Sequence, residues 1–298
     1  MQNILITGGT GLIGRHLRTV LEKCGYQVSI LSRSKIERTN ITCYWNPEAG
    51  EIDSRSLVNS DIIIHLAGAS IAGGRWTKEY KQKIIDSRVL STRLLYESLK
   101  RQSRVKTFIS ASAIGIYGNR GDQWVDEYCS LPAVFLANTC RQWEAEVQKI
   151  TELGIRVVIL RTGLVLADDG GILPVLTRPV KWGVGSILGN GNQFMSWIHI
   201  NDLCRIYLKA VKDSSIYGTY NAVAPHPVTH REFMKTLANV CHRPLWLPPV
   251  HEGALKLFLG EKAELVLGGQ RVSSKKITEA GFNFEFTKLE HALRSLTR

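Results

Sequence analysis

The stretch Asn3-Ile-Leu-Ile-Thr-Gly-Gly-Thr-Gly-Leu-Ile-Gly-Arg-His-Leu17 decides the fold of this 298-residue chain. An apolar run, Ile4 to Ile6, breaks at Gly8. Gly11 and Gly14 follow at intervals of three, and a helical pattern then begins with Leu17, Val20, Leu21 and Cys24. The order is strand, glycine turn, helix. Gly8 permits a sharp exit from the strand, Gly11 lets a pyrophosphate approach bare backbone, and Gly14 lets the helix lie close on the sheet. The free N–H groups and positive dipole end of the helix face that anion, which brings Thr10, Leu12 and Ile13 into the same site. A plain turn would need none of this spacing, so the stretch reads as a dinucleotide site.

Working outward, Gly25 stands where a left-handed helix cap belongs, and Gln27-Val-Ser-Ile-Leu-Ser32 makes a second strand. An NAD-specific site places Asp or Glu at the end of this strand to hold the ribose 2′-hydroxyl. This chain offers Ser32-Arg33-Ser34-Lys35, with no carboxylate before Glu37. Arginine and lysine match a 2′-phosphate dianion that a carboxylate would repel. The expected cofactor is therefore NADP(H), held at this end by Ser32 and Arg33; an ordinary basic surface turn is the alternative.

Thr42 to Trp45 reads as a short third strand. Asp61-Ile-Ile-Ile-His-Leu-Ala-Gly68 is apolar throughout, as expected of a parallel strand buried on both faces, and ends in small residues. Leu66, Ala67 and Gly68 would let the cofactor pass over the strand end; His65 reads as a hydrogen-bonded core imidazole. A helix follows from about Lys78 to Lys100, a strand over Val105–Ser112, a helix from about Val134 to Leu153, and a strand Arg156–Leu160 closed by Arg161-Thr-Gly163. Such alternation specifies α/β architecture, a Rossmann-type doubly wound parallel sheet. Beyond Gly163 the rhythm changes to a glycine-rich insert, Leu164 to Met195, read as part of a ligand-covering lobe. The expected division is a cofactor domain over 1–163, completed by about 196–241, with a small C-terminal substrate lobe from 164–195 and 242–298.

The formal charge of +12 comes from basic residues dispersed along helices and loops, not massed with aromatics, which argues against a nucleic-acid surface. No apolar run is long enough to span a membrane. Six cysteines show no CxxC pair or metal-ligand spacing, so reduced thiols and no metal are expected. The first strand begins at Asn3, which leaves no room for a presequence, and a cytoplasmic protein is the expectation. The expected partner is a small-molecule substrate; Arg271, Lys275 and Lys276 would meet an anionic one, a solvated basic face being the default, and an oligomer remains open.

Thr7-Gly-Gly-Thr-Gly-Leu-Ile-Gly14, His65-Leu-Ala-Gly68, Ser110-Ala-Ser-Ala113 with Tyr117-Gly118, Arg161-Thr-Gly163 and Trp197-Ile-His-Ile-Asn-Asp202 together resemble the extended short-chain dehydrogenase/reductase superfamily. Gly74-Arg-Trp-Thr77 with Ser87-Arg88, Asp169-Gly-Gly171, Gly189-Asn-Gly191 and Gly268-Gly-Gln270 resemble, more closely, its YfcH-like group of epimerase family proteins. The resemblance spans almost the whole chain. It implies an NADP-binding Rossmann domain with an atypical active site.

In the superfamily a serine and a Tyr-x-x-x-Lys pair cooperate: the lysine lowers the tyrosine pKa from about 10, so the phenol exchanges a proton during hydride transfer. Here the serine is Ser112, with Ser110 the alternative, but aligning Phe135-Leu-Ala-Asn-Thr-Cys-Arg-Gln-Trp-Glu144 by Glu144 puts Leu136 and Cys140 at the pair's positions. A formal match, Tyr96-Glu-Ser-Leu-Lys100, lies on the preceding helix and is rejected. Substitutes come from elsewhere. Arg88 stands where relatives commonly carry an active-site asparagine and would grip a cofactor phosphate or substrate carboxylate, or form a surface ion pair. Tyr117 would supply a phenol, or pack under its loop. Arg161 would touch the ligand, or make a structural salt bridge. His199 would act as acid/base, or order its loop. The expected function is an NADP(H)-dependent oxidoreductase or epimerase-like enzyme of unidentified substrate; the alternative is a non-catalytic NADP(H)-sensing regulator.

Overall fold

The computed structural model describes residues 2–33, 42–101 and 103–297. They divide into two compact units. The first comprises Met1–Ala113, Asn138–Arg161 and Cys204–Tyr220; the second comprises Ile114–Ala137, Thr162–Leu203 and Asn221–Arg298.

The first unit is organised by strands β1 (Asn3–Thr7), β2 (Gln27–Ser32), β3 (Thr42–Asn46), β4 (Glu51–Ile52), β5 (Ile62–His65), β6 (Thr107–Ala113), β7 (Arg156–Thr162) and β8 (Gly218–Ala222). Their order in the sheet is β8-β7-β6-β5-β1-β2-β3-β4. β1 pairs in parallel with β2 on one side and β5 on the other, with Thr7 opposite His65 in the latter register. The chain therefore leaves β1 toward one edge and returns on the opposite flank. Such a reversal opens a crevice at the carboxyl ends of the two central strands, where open α/β sheets bind ligands. At one edge of the sheet β4 turns back antiparallel on β3, pairing Trp45 with Ile52. The Asn46 to Gly50 segment is tight enough to make a hairpin, with Gly50 at a φ of +69°.

Continuous apolar strands arise because both faces are covered. On one face Leu5, Ile63, Phe108 and Ile159 pack with Leu95 and Leu99 of α2 (Lys78–Arg101) and with Trp143 and Val147 of α3 (Phe135–Gln148). Ile4, Ile6, Ile62 and Ile64, of opposite parity, are equally buried. The glycine turn leads into α1 (Leu12–Lys23), which buries Leu17 and Leu21. The helix expected to reach Leu153 changes character: α3 ends at Gln148, a 3-10 turn runs over Lys149–Leu153, and Gly154 terminates it in the left-handed region. Arg156, at the start of β7, donates to the carbonyls of Ala210 and Ile216 at 2.9 and 2.6 Å and so staples the turn entering β8.

In the second unit, Trp197–His199 pairs in parallel with Leu164–Leu166 over a core of Leu166, Trp197, Phe233, Leu237 and Leu293. The glycine-rich insert contains a helix, Ile172–Lys181, which burial of Leu173, Thr177 and Val180 stabilises despite Pro179. A further helix runs over His230–Val240, with Thr229 at its N-cap. The Thr229 side chain accepts from the Glu232 N–H while Glu232 reaches back to the Thr229 N–H, a reciprocal cap.

Candidate functional site

In the first unit the crevice is built from glycine outward. Gly8 has a φ of +69°, and a Cβ there would meet the backbone of Leu66 and Ala67 at 2.9 to 3.0 Å. A Cβ on Gly14 would fall 2.4 Å from the Gly8 carbonyl oxygen and 2.6 Å from Gly9 Cα. Only bare backbone lets β1, the turn, α1 and the end of β5 crowd together in this way. Gly11 is the N-cap residue of α1; no side chain caps the helix and no acidic residue lies in its first turn, so its leading N–H groups remain available to an anion. Thr10 and Gly11 are exposed, and Leu12 and Ile13 are half-buried.

Thr7 ties the two strand ends together. Its hydroxyl accepts from the N–H groups of Leu66 and Ala67, each at 3.1 Å, and lies 2.7 Å from His65 Nδ1. With its lone pairs engaged, the Thr7 proton points at Nδ1; the His65 proton is then on Nε2, directed at Thr92 Oγ1, 3.1 Å away. Burial, reinforced by the Arg88 charge, pushes His65 down to about 3, so the imidazole is neutral. It is a core brace, as its apolar setting suggested.

Arg88, on α2, lies against the end of β5. Its Nη1 donates to the carbonyls of Ile84 and Ala69 at 2.9 and 3.2 Å, and its guanidinium stands 5.2 Å from the centre of the Trp143 ring. Gly68 makes room for it: a Cβ there would be 3.0 Å from Arg88 Cζ. The surface ion pair weighed for Arg88 is absent among the described residues. Burial lowers its pKa, with only Cys140 and Tyr80 opposing.

Ser112 is buried and donates to Glu144 Oε1 at 2.6 Å. Arg161 meets the same carboxylate with two N–H groups, Nε to Oε1 at 2.9 Å and Nη2 to Oε2 at 2.8 Å. Of the two roles weighed for Arg161, the structure displays the salt bridge, with both side chains largely buried. Cys140, one helical turn before Glu144, is buried; desolvation, then the Glu144 charge, pushes its thiol up to about 11, so it is no substitute for a lysine. Tyr96 donates to Glu152 at 2.8 Å, while Lys100 pairs with Glu97 at the exposed helix end and lies over the Tyr96 ring, 4.3 Å from its centre. Glu144 is the residue that sequence reasoning used only as an alignment marker. Its position one turn beyond Cys140, on the helix face turned to β6, was the available signal.

At the end of β2, Ser32 is half-buried and Arg33 is exposed. Ser34, Lys35 and Glu37, on which the choice of NADP also drew, lie outside the described residues.

In the second unit, Tyr117 is fully buried and its phenol donates to Asn221 Oδ1 at 2.7 Å. Asn221 in turn donates its backbone N–H to Glu127 and its amide to the Ser273 carbonyl. His199 stacks on Phe286 with ring centres 3.7 Å apart, accepts from the Asn201 N–H at Nδ1, and reaches Ser295 through Nε2, the loop-ordering role. A polar cavity of ≈ 600 Å³ is lined by residues that include Asn119, Asn192, Gln193, Glu252, Lys256 and Glu264. Among the described residues no cluster of His, Cys, Asp and Glu is arranged to hold a metal, and no helix is long and apolar enough to cross a membrane.

A strand-order reversal, a glycine cradle and an uncapped helix start define a Rossmann-type fold, and the matches that follow fit an atypical extended short-chain dehydrogenase/reductase. The chain belongs to the NAD dependent epimerase/dehydratase family, whose model matches residues 4–222; residues 252–296 match a domain of unknown function, DUF1731. It is similar to Epimerase family protein YfhF of Bacillus subtilis, 41% identical over 99% of this chain and 97% of that one. Among solved structures, the human epimerase family protein SDR39U1 with NADPH superposes with a TM-score of 0.89 at 27% identity, covering 99% of both chains. A nucleoside-diphosphate sugar epimerase from Corynebacterium glutamicum gives 0.81 at 33% identity, covering 99% of this chain and 58% of that one.

Proposed function

We propose that this protein binds NADP(H) and acts as an oxidoreductase or epimerase-like enzyme on a small molecule, without the usual tyrosine and lysine. The observation that carries the reading is the cradle at Gly8 and Gly14, whose missing Cβ atoms are what allow bare backbone to face the crevice. The NADPH of the human relative supports the same choice of cofactor. Gly8, Thr10, Gly11, Leu12, Ile13 and Gly14 would hold the pyrophosphate, Ser32 and Arg33 the 2′-phosphate, and Leu66, Ala67 and Gly68 the passage over β5. The bound cofactor supplies hydride chemistry; the protein supplies binding and orientation.

Ser112 has a defined part in this reading. Its proton is committed to Glu144, so toward a substrate it offers lone pairs and accepts from an alcohol. Arg161 fixes the carboxylate, and through it the Ser112 rotamer, and in this reading has no direct contact with the cofactor. Tyr117 braces the second unit through Asn221, and the polar cavity there fits a substrate lobe.

A second reading, a non-catalytic NADP(H) sensor, is favoured by one observation: the hydroxyl protons of Ser112 and Tyr117 are both already donated to protein acceptors. Incubation with NADPH and a panel of carbonyl compounds and nucleotide sugars separates the two. Consumption of NADPH with any carbonyl compound, or isomerisation of any nucleotide sugar with no net change in the cofactor, establishes the enzyme; tight NADPH binding with neither outcome across the panel assigns the sensor. No affinity for NADPH overturns both.

A further inference from the structure

Arg88 is held by one edge only. Nη1 is anchored to Ile84 and Ala69, with the Ser87 hydroxyl 3.4 Å away, and Trp143 flanks the guanidinium. The other edge, Nε and Nη2, has no hydrogen-bond partner among the described residues, and neither atom is among the buried polar atoms left unsatisfied. That edge lies over Gly68, where a Cβ would come within 3.2 Å of Nη2 and 3.3 Å of Nε. Gly68 is exposed at the end of β5, beside the strand-order reversal. No carboxylate among the described residues neutralises the group. A guanidinium that is partly desolvated, fixed on one side and free on the other is costly to the fold unless an anion completes it.

We infer that Arg88 is an oxyanion-binding residue, its free Nε and Nη2 edge taking two oxygens of a phosphate or carboxylate group over Gly68. The paired, parallel N–H groups match that geometry, which a lysine ammonium would not. The inference deepens the proposed function and rests on the crevice assigned there. The anion has two sources, the cofactor pyrophosphate or an acidic group on a second ligand, and the chemistry is common to both.

The test uses the full chain and equilibrium titration by fluorescence and calorimetry. The probes are NADPH and inorganic pyrophosphate on the free protein, and inorganic phosphate and malonate on the NADPH-loaded protein. Arg88→Gln should weaken at least one of them by about 10- to 100-fold, the size of a lost charge-assisted pair of bonds. Arg88→Lys should recover only part, because it restores charge without the fork. Loss for NADPH and pyrophosphate together identifies the cofactor as the source; loss confined to phosphate or malonate identifies a second ligand. Unchanged affinities for all four probes would overturn the inference, as would a wild-type protein that binds none of them. Should Arg88→Gln fail to fold, Gly68→Ala carries the test. It keeps the charge, introduces no backbone strain, and pushes a methyl group against the fork, so it must weaken the same probe. A wild-type protein that lacks NADPH affinity yet loses pyrophosphate binding in Arg88→Gln would sink the proposed function and leave this inference standing.

Discussion

Replacing Gly8 by alanine separates the two demands that the turn makes on its first glycine. The left-handed backbone alone costs an L-residue about 1–2 kcal/mol. The new Cβ would also stand 2.9 to 3.0 Å from backbone atoms of Leu66 and Ala67, which cannot rotate away as a side chain would. Relief requires the end of β5 to retreat, which breaks the two 3.1 Å bonds from Leu66 and Ala67 to the Thr7 hydroxyl. At about 0.5–1.5 kcal/mol each, those bonds bring the expected loss to roughly 2–5 kcal/mol. Gly25→Ala is the matched control. Gly25 also has a positive φ, +84°, but nothing lies within 4 Å of its would-be Cβ, so it should lose only the first 1–2 kcal/mol or so. Urea denaturation followed by tryptophan fluorescence gives the two stabilities, and an NADPH titration gives the binding. Gly8→Ala should be the less stable by at least about 1 kcal/mol and should bind NADPH more than about tenfold more weakly, while Gly25→Ala binds normally. Equal stabilities for the two variants would refute the packing argument, and undiminished NADPH affinity in Gly8→Ala would refute the cradle.

Three further outcomes are expected. Arg33→Asp should weaken NADPH by roughly 10- to 100-fold through loss of a charge-assisted contact, with NADH changed far less; equal losses would remove the 2′-phosphate assignment. Glu144→Gln leaves the largely buried Arg161 without its carboxylate and should cost about 3–5 kcal/mol in chemical denaturation, so a loss below about 1 kcal/mol would show the pair to be dispensable. His65, held neutral and down to about 3 against 6.5 when free, binds its proton only in the unfolded chain between these values. Its contribution is therefore complete above pH 6.5 and declines as the pH falls, by about 2 kcal/mol at pH 5. His230, pushed down to about 4 by burial, shares the window, so the diagnostic comparison is with His65→Gln, whose stability should fall less steeply from pH 7 to pH 5. Identical slopes would contradict the neutral imidazole.

The sequence by itself determined the cradle, the alternation of strands and helices, and the identities, Leu136 and Cys140, of two residues one helical turn apart on α3. Each is a local matter: glycine spacing, hydrophobic period and the identity of residues one helical turn apart act within a few positions of one another. It also carried the reading of His65 as a core group, because an imidazole inside an apolar strand has few other places to be. The antiparallel return of Glu51–Ile52 and the helix Ile172–Lys181 were not legible, since two residues are too short for a period and two prolines and a glycine pair obscure the other. Only the tertiary structure gave Arg88, Arg161, Ser112, Tyr117 and His199 their hydrogen-bond partners. Arg161 and Ser112 converge on Glu144 from separate strands, Tyr117 finds Asn221 across more than a hundred residues of chain, and Arg88 finds carbonyls and a ring but no carboxylate among the described residues. The fate of a polar side chain depends on which partner the folded chain brings within about 3 Å, and that proximity is set by the packing of distant segments, which no local pattern encodes.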